Sequence, residues 1–188
     1  MEKNFRTFIG LPLRVEPRFL QARRELISAL DGDRISWTNP DQYHVTLRFI
    51  GDTEISSIER IGRELHAGVT AAPRIHLGIN GLDSFGPRKR PRVIWAGFEE
   101  CTFFESLKSE VDHVLERCSI PSTEQPFRAH LTLGRIRRLQ DLQRYYLTIE
   151  AMEKAFNSTV LFESLVFFRS ILGPRGPEYQ VLDEIRFL

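Results

Sequence analysis

The chain has 188 residues, of which 41% are hydrophobic and 27% are charged, and its net charge at pH 7 is +1. This composition is typical of a soluble globular protein, and no apolar segment is long enough to cross a bilayer, which excludes a membrane-spanning protein. The charge balance excludes no class of partner. Cys101 and Cys118 belong to no CxxC pair, so we expect reduced thiols in a cytoplasmic protein.

The first half of the chain predicts alternating strands and helices, from the spacing of its apolar residues and from the positions of proline and glycine. In chain order the predicted elements are a strand at Phe5–Leu11, a helix at Pro17–Leu30, a strand from His44 to Gly51, a helix at Ile55–Val69 and a strand at Ile75–Leu82. A loop at Gly86–Arg92 then separates the two halves.

The second half repeats this order, with two more strands at its end. The predicted elements are a strand at Val93–Phe98, a helix at Thr102–Cys118, a strand from His130, a helix at Leu139–Lys154 and strands at Val160–Ile171 and Glu178–Phe187. We therefore expect an α+β fold in one domain, 1–188, with two pseudo-symmetric lobes at about 1–90 and 91–188, although the chain can cross between them. Each lobe would have an antiparallel sheet backed by helices, and the two sheets would face each other across a central cleft.

The chain contains one short pattern twice. HVTLRF runs from His44 to Phe49, and HLTLGR runs from His130 to Arg135, so the two histidines are 86 residues apart. Alternate side chains of a strand share a face, so each histidine would lie beside the threonine two residues further on, with the intervening apolar side chains opposite. Two such strands facing each other would place two imidazoles and two hydroxyls around one cleft.

Two imidazoles in one cleft suit acid–base chemistry. The ordinary pKa of histidine is near 6.5, so one ring can act as a base while the other acts as an acid, with greatest turnover near neutrality. Phosphodiester hydrolysis needs both groups, and threonine hydroxyls can donate to the phosphate oxygens. No carboxylate-rich cluster accompanies the two patterns, so we expect neither a metal nor another cofactor.

Further short segments accompany the two patterns along the chain. They are RTFI from Arg6, VIWAG from Val93, FRS from Phe168 and GPEY from Gly176. With these segments, the chain resembles the 2H phosphoesterase superfamily. More narrowly, it is similar to the bacterial and archaeal RNA 2′,3′-cyclic phosphodiesterases first described as 2′-5′ RNA ligases.

This resemblance implies a bilobal enzyme that opens a 2′,3′-cyclic phosphate to a 2′-phosphate without a metal. It implies that His44 and His130 are catalytic, with His44 protonating the departing 3′ oxygen and His130 activating the water. Thr46 and Thr132 would bind the phosphate. The symmetry of the site lets the two histidines exchange roles in the reverse, ligating direction.

The resemblance also implies a nucleotide contact for Arg135. In a regular strand Arg135 would lie on the face opposite Thr132, so we expect an irregularity at Gly134 to turn it into the cleft. Phe49 occupies the matching position after His44. Its ring either contacts a base of the substrate or packs in the core.

Two basic runs lie outside the repeated patterns, at Arg88–Arg92 and at Arg137-Arg138. They are either solvated loops or, with Arg135, a positive rim that receives an RNA end. The expected partners are RNA with 2′,3′-cyclic phosphate ends or small cyclic nucleotides, with no membrane, and we expect a monomer.

Three other functions fit the same residues. An enzyme on this scaffold could instead act on 2′,5′-phosphodiesters, as a ligase or a phosphodiesterase. A non-catalytic module that binds RNA ends would be favoured if either histidine were missing, and both are present. A metal hydrolase with His44 and His130 as ligands would be inactivated by a chelator.

Overall fold

The computed structural model describes residues 4–69, 72–123, 126–173 and 176–188, which form nine β-strands and four α-helices. In chain order these are β1 (Asn4–Pro12), α1 (Pro17–Ala29), β2 (Arg34–Trp37), β3 (His44–Glu54), α2 (Ile55–Gly68), β4 (Ile75–Phe85), β5 (Val93–Phe98), α3 (Phe103–Arg117), β6 (His130–Arg138), α4 (Leu142–Met152), β7 (Ser158–Phe162), β8 (Ser164–Gly173) and β9 (Gly176–Arg186).

All nine strands belong to one antiparallel sheet. Its order is β7-β4-β5-β6-β3-β1-β8-β9, and β2 pairs with β6 beside this path. One half of the sheet contains β1, β3, β8 and β9, and the other contains β2 and β4 to β7. Each half of the sheet uses strands from both halves of the chain, because β4 lies between β5 and β7 while β8 lies beside β1.

The two halves of the sheet meet between the repeated strands. There β3 pairs with β6 at Val45 and Leu131, and further along β6 its partner is β2, in which Trp37 pairs with Gly134. The strands β3 and β6 therefore diverge, and the sheet curls around the space between them. This is the predicted α+β, bilobal architecture, and we call the space on the histidine-bearing side the cleft.

The valine and the leucines of the two patterns lie on the other side of the sheet, in the core. Val45, Leu47, Leu131 and Leu133 are at most 3% exposed, so the predicted alternation is confirmed. Burying one such side chain contributes about 1.5–3 kcal/mol. This burial stabilises the observed register of the strands, because a slip by one residue would expose the leucines and bury the histidines.

Several elements differ from those predicted, and two of the differences have local causes. β2 was not predicted, because four residues carry little periodic signal. The helix predicted from Leu139 begins at Leu142, because the Asp141 side chain caps it by accepting hydrogen bonds from the N–H groups of Gln143 and Arg144 at 2.8 and 3.1 Å. That helix ends at Met152 and is followed by a short 3₁₀ turn.

The strand predicted at Val160–Ile171 is two strands. β7 pairs with β4, whereas β8 pairs with β1 in the other half of the sheet. The chain therefore crosses from one half of the sheet to the other between Phe162 and Ser164. In the part of the chain that the structure describes, no helix is both long and apolar enough to cross a membrane.

Candidate active site

The same local hydrogen bond holds both cleft histidines. Nδ1 of His44 lies 2.8 Å from the carbonyl oxygen of Gln42, and Nδ1 of His130 lies 2.8 Å from that of Arg128. A carbonyl oxygen can only accept, so Nδ1 donates in each ring. Such a bond fixes the tautomer and the orientation of the ring, and leaves Nε2 for chemistry.

In β3 the threonine lies beside its histidine, as the strand period predicts. Nε2 of His44 is 3.1 Å from Oγ1 of Thr46. Continuing the antiparallel register from Val45 and Leu131 places His44 opposite Thr132 and Thr46 opposite His130. The four polar side chains therefore lie on one face of the two strands, with an approximate twofold relation between the strands, and the charge of His130 acts on His44.

Aromatic rings surround His44. The ring centroids of Phe8 and Tyr179 are each 5.0 Å from that of His44, and the centroid of Phe168 is 6.1 Å away. These three residues come from β1, β9 and β8, and sequence reasoning gave them no individual role. All three do lie in short segments that carried the family resemblance, which was the available signal.

His130 has a different environment, which combines aromatic rings with positive charge. Its ring centroid is 4.7 Å from that of Phe85 and 6.3 Å from that of Trp95. The guanidinium of Arg128 lies 4.3 Å from the centroid of Trp95, within the range of a cation–π contact. Among the described residues, Nε2 of His130 has no hydrogen-bond partner.

Burial lowers the pKa of both histidines below the ordinary value of 6.5. For His44 the backbone hydrogen bond to Gln42 opposes this effect, and the charges of His130 and Arg135 add to it. For His130 the bond to Arg128 opposes it, and the charges of Arg135 and Arg128 add to it. The free protein therefore favours neutral rings, and a bound phosphate anion would favour their protonation.

A β-bulge determines the direction of Arg135. Thr132 pairs with Trp95 and Gly134 pairs with Ile94, so Leu133 has no partner on β5. Leu133 and Gly134 are both buried, and exposed Arg135 returns to the face of Thr132. The predicted irregularity is confirmed, and the charge of Arg135 lowers the pKa values of His44 and His130.

The same bulge occurs in β3 and turns Phe49 outward. Gly10 pairs with Thr46 and Ile9 pairs with Arg48, which leaves Leu47 without a partner on β1. The side chain of Phe49 is 61% exposed, with its ring centroid 5.8 Å from that of Phe8. Of the two alternatives for Phe49, packing in the core is therefore wrong, and its ring borders the aromatic side of the cleft.

The cations of the two basic runs share one groove with Arg135, except Arg88, whose guanidinium lies 5.0 Å from the ring centroid of Tyr146 outside that groove. About 700 Å³ in volume, it is lined by Lys89, Arg90 and Arg92 on one side and by Arg137 and Arg138 on the other. In the part of the chain that the structure describes, no group of three or more His, Cys, Asp and Glu side chains could hold a metal ion.

Comparisons with known proteins assign the chain to a family. Residues 9–95 match the model of the LigT like Phosphoesterase family. A protein of Aquifex aeolicus named RNA 2′,3′-cyclic phosphodiesterase is 33% identical over 156 residues, which is 79% of each chain. A protein of Thermotoga maritima with the same name is 28% identical over 184 residues, or 97% of this chain and 95% of its own length.

Solved structures show the same fold. TT0787 of Thermus thermophilus superposes with a TM-score of 0.73 at 23% identity and covers 97% of both chains. LigT of E. coli in complex with 3′-AMP superposes with a TM-score of 0.69 at 18% identity and covers 98% of both chains. The chain belongs to the LigT-like phosphoesterases, a family of enzymes in which its curated relatives are named RNA 2′,3′-cyclic phosphodiesterases, and this confirms the resemblance found in the sequence.

Proposed function

We propose that this protein hydrolyses RNA 2′,3′-cyclic phosphate ends to 2′-phosphates, without a metal ion, by general acid–base catalysis between His44 and His130. The observation that carries this proposal is the antiparallel pairing of the two His-x-Thr strands at Val45 and Leu131. The approximate twofold relation supports it, because it puts the two imidazoles on one face of the sheet, one from each strand. In-line displacement at phosphorus needs such opposed groups, because the attacking and leaving oxygens lie on opposite sides.

In the forward reaction Nε2 of His130 accepts a proton from water as the water oxygen bonds to phosphorus. The bond from phosphorus to the 3′ oxygen breaks, and protonated Nε2 of His44 donates its proton to that oxygen. The product carries a 2′-phosphate and a free 3′ hydroxyl. The absence of a partner for Nε2 of His130 among the described residues supports its role as the base, since this nitrogen is free to receive water.

The remaining residues hold the phosphate. The hydroxyls of Thr46 and Thr132 donate to its oxygens as negative charge develops in the transition state. Arg135 adds a cation on the same face, and Phe49 offers a ring on the opposite side of the cleft. Such a site accepts either an RNA end or a small cyclic nucleotide, and the names of the family relatives favour RNA.

Turnover in the presence of a chelator tests this proposal. Purified protein is incubated with EDTA and RNA ending in a 2′,3′-cyclic phosphate, and ring opening is followed by chromatography. We expect the same rate with and without EDTA. Loss of activity in EDTA with recovery on adding a divalent ion would contradict acid–base catalysis and favour His44 and His130 as metal ligands.

A further inference from the structure

The basic groove beside the cleft has an unusual charge for this protein. The chain carries 26 Lys and Arg residues and 25 Asp and Glu residues. The groove, however, is lined by six cationic residues and by no acidic residue. These six are Lys89, Arg90, Arg92, Arg135, Arg137 and Arg138.

None of these six side chains forms an ion pair with a carboxylate of the described residues. A second groove, of about 1120 Å³, provides a contrast, because its arginines are accompanied by acidic residues. There Arg74 lies 3.3 Å from Glu163 and Arg186 lies 3.5 Å from Glu184. Unneutralised cations in one concave surface are available to bind an external polyanion.

The loop that supplies three of the cations has a defined conformation. Gly86 has φ +110°, and a Cβ at this position would meet the carbonyl oxygen of Arg90 at 3.0 Å. The N–H of Arg92 donates to the carbonyl of Phe85 at 2.8 Å, and the N–H of Ile136 donates to the carbonyl of Arg92 at 2.8 Å. The loop is thus joined to β6, and the cations of both walls are held near one another before a ligand binds.

The groove begins at the candidate active site. Arg135 lines the groove, and its charge also acts on both cleft histidines. A polyanion in the groove would therefore continue directly into the cleft. A 2′,3′-cyclic phosphate occurs at the 3′ end of an RNA strand, so the rest of the strand must extend from the cleft in the 5′ direction.

We propose that this basic groove binds backbone phosphates of the RNA strand on the 5′ side of the reacting end. The preferred substrate is then an oligonucleotide rather than a single cyclic nucleotide. This proposal rests on the proposed function for the chemistry in the cleft. It goes further by assigning the part of the substrate that does not react.

A binding experiment tests the groove without requiring turnover. The probe is a fluorescent single-stranded RNA of about ten nucleotides that ends in a 2′-phosphate, and affinity is measured by anisotropy from about 50 to 200 mM salt. The groove variant is Arg137→Ala/Arg138→Ala. The matched control, Arg14→Ala/Arg186→Ala, removes two exposed cations from the charge-balanced groove.

We expect the groove variant to bind this RNA about tenfold more weakly or worse. The slope of log affinity against log salt should fall by about 0.7 for each phosphate that the variant no longer neutralises. The control should bind as the unmodified protein does. Equal affinities in the two variants, or no binding by the unmodified protein, would overturn the proposal.

Turnover then separates this proposal from the proposed function. The groove variant should lose kcat/KM on the cyclic-phosphate RNA of the same length by about tenfold, and should retain the kcat/KM of the unmodified protein on 2′,3′-cyclic AMP. Equal losses on the two substrates would overturn the groove as an oligonucleotide site. If the unmodified protein opened neither substrate, the proposed function would fail. The anisotropy measurement would still show whether the groove binds RNA.

Discussion

The two sides of the cleft share a framework and differ in what they present. On each side a histidine is held by the carbonyl two residues before it, a threonine follows, and a bulge leaves one leucine without a partner. After the bulge, one side presents the ring of Phe49 and the other presents the guanidinium of Arg135. The repeated pattern thus preserves the acid–base frame and varies the positions around it.

The difference fits an asymmetric substrate. The exposed ring of Phe49 on the His44 side suits stacking with a nucleobase, whereas the cations beside His130 suit phosphate oxygens. A twofold frame alone would bind a cyclic phosphate in two orientations. The contrast between the aromatic and cationic sides therefore provides a physical reason for one orientation, and each of the following experiments changes one part of it.

Removing either histidine should have the largest effect. We expect His44→Ala and His130→Ala each to lower kcat by on the order of a hundredfold or more, because each removes a proton-transfer group. The control is His113→Ala, which changes a surface histidine hydrogen-bonded to Ser109. Steady-state kinetics with thermal unfolding gives the comparison, and near-normal turnover in either cleft variant would exclude that histidine from the mechanism.

Removing a threonine hydroxyl should lower activity less than removing a histidine. Thr46→Val and Thr132→Val each delete one donor to the phosphate and keep the side-chain volume, so we expect kcat/KM to fall by about tenfold to a thousandfold. Thr46→Ser and Thr132→Ser, which keep the hydroxyl, should recover most of the activity. If the valine variants unfolded at lower temperature and the serine variants recovered only stability, the threonines would be structural.

Arg135 should affect substrate binding more than stability. We expect Arg135→Ala to raise KM by about tenfold, the cost of one charged hydrogen bond to phosphate, with an unchanged unfolding temperature. The KM of Arg135→Lys should lie between those of the unmodified protein and Arg135→Ala, because lysine keeps the charge and loses the planar, bidentate geometry. An unchanged KM in Arg135→Ala would remove the cationic side from substrate binding and weaken the contrast with Phe49.

The low pKa values of the two histidines should change the pH at which kcat/KM is greatest. A bell-shaped kcat/KM reports the acid and base of the free enzyme, and burial lowers the pKa of both histidines. Both limbs of the bell should therefore lie at lower pH, with a maximum below 6.5 instead of the near-neutral maximum expected from the sequence. Arg135→Ala removes a charge that lowers both pKa values, so its maximum should move to higher pH, and a shift to lower pH would contradict this account.

The period of two in the repeated patterns predicted much of the site. It separates His44 and Thr46 from Val45 and Leu47, and burial of the apolar pair confirms that separation. Arg135 lies on the face of Thr132 only because of a bulge, and Gly134 was the residue in the sequence that indicated this bulge. The matching bulge in β3 has Arg48 at that position, so glycine is not required for it, and this bulge could not be read from the residue type.

Contacts between distant segments were not predictable from local pattern. The rings beside His44 come from β1, β8 and β9, and their convergence depends on the chain crossing between halves of the sheet after Phe162. The basic runs were visible in the sequence. Their union in one groove depends on the pairing of Val93 with Arg135, which joins the loop to the second wall.

The identity of the product tests the central claim most directly. RNA ending in a 2′,3′-cyclic phosphate is converted completely by the protein in EDTA, and the product is assigned by phosphorus NMR and by comparison with synthetic 2′- and 3′-phosphates. The account predicts a 2′-phosphate with a free 3′ hydroxyl, because His44 protonates the 3′ oxygen held in line with the attacking water. A 3′-phosphate product would contradict the proposed orientation of the substrate between the two histidines.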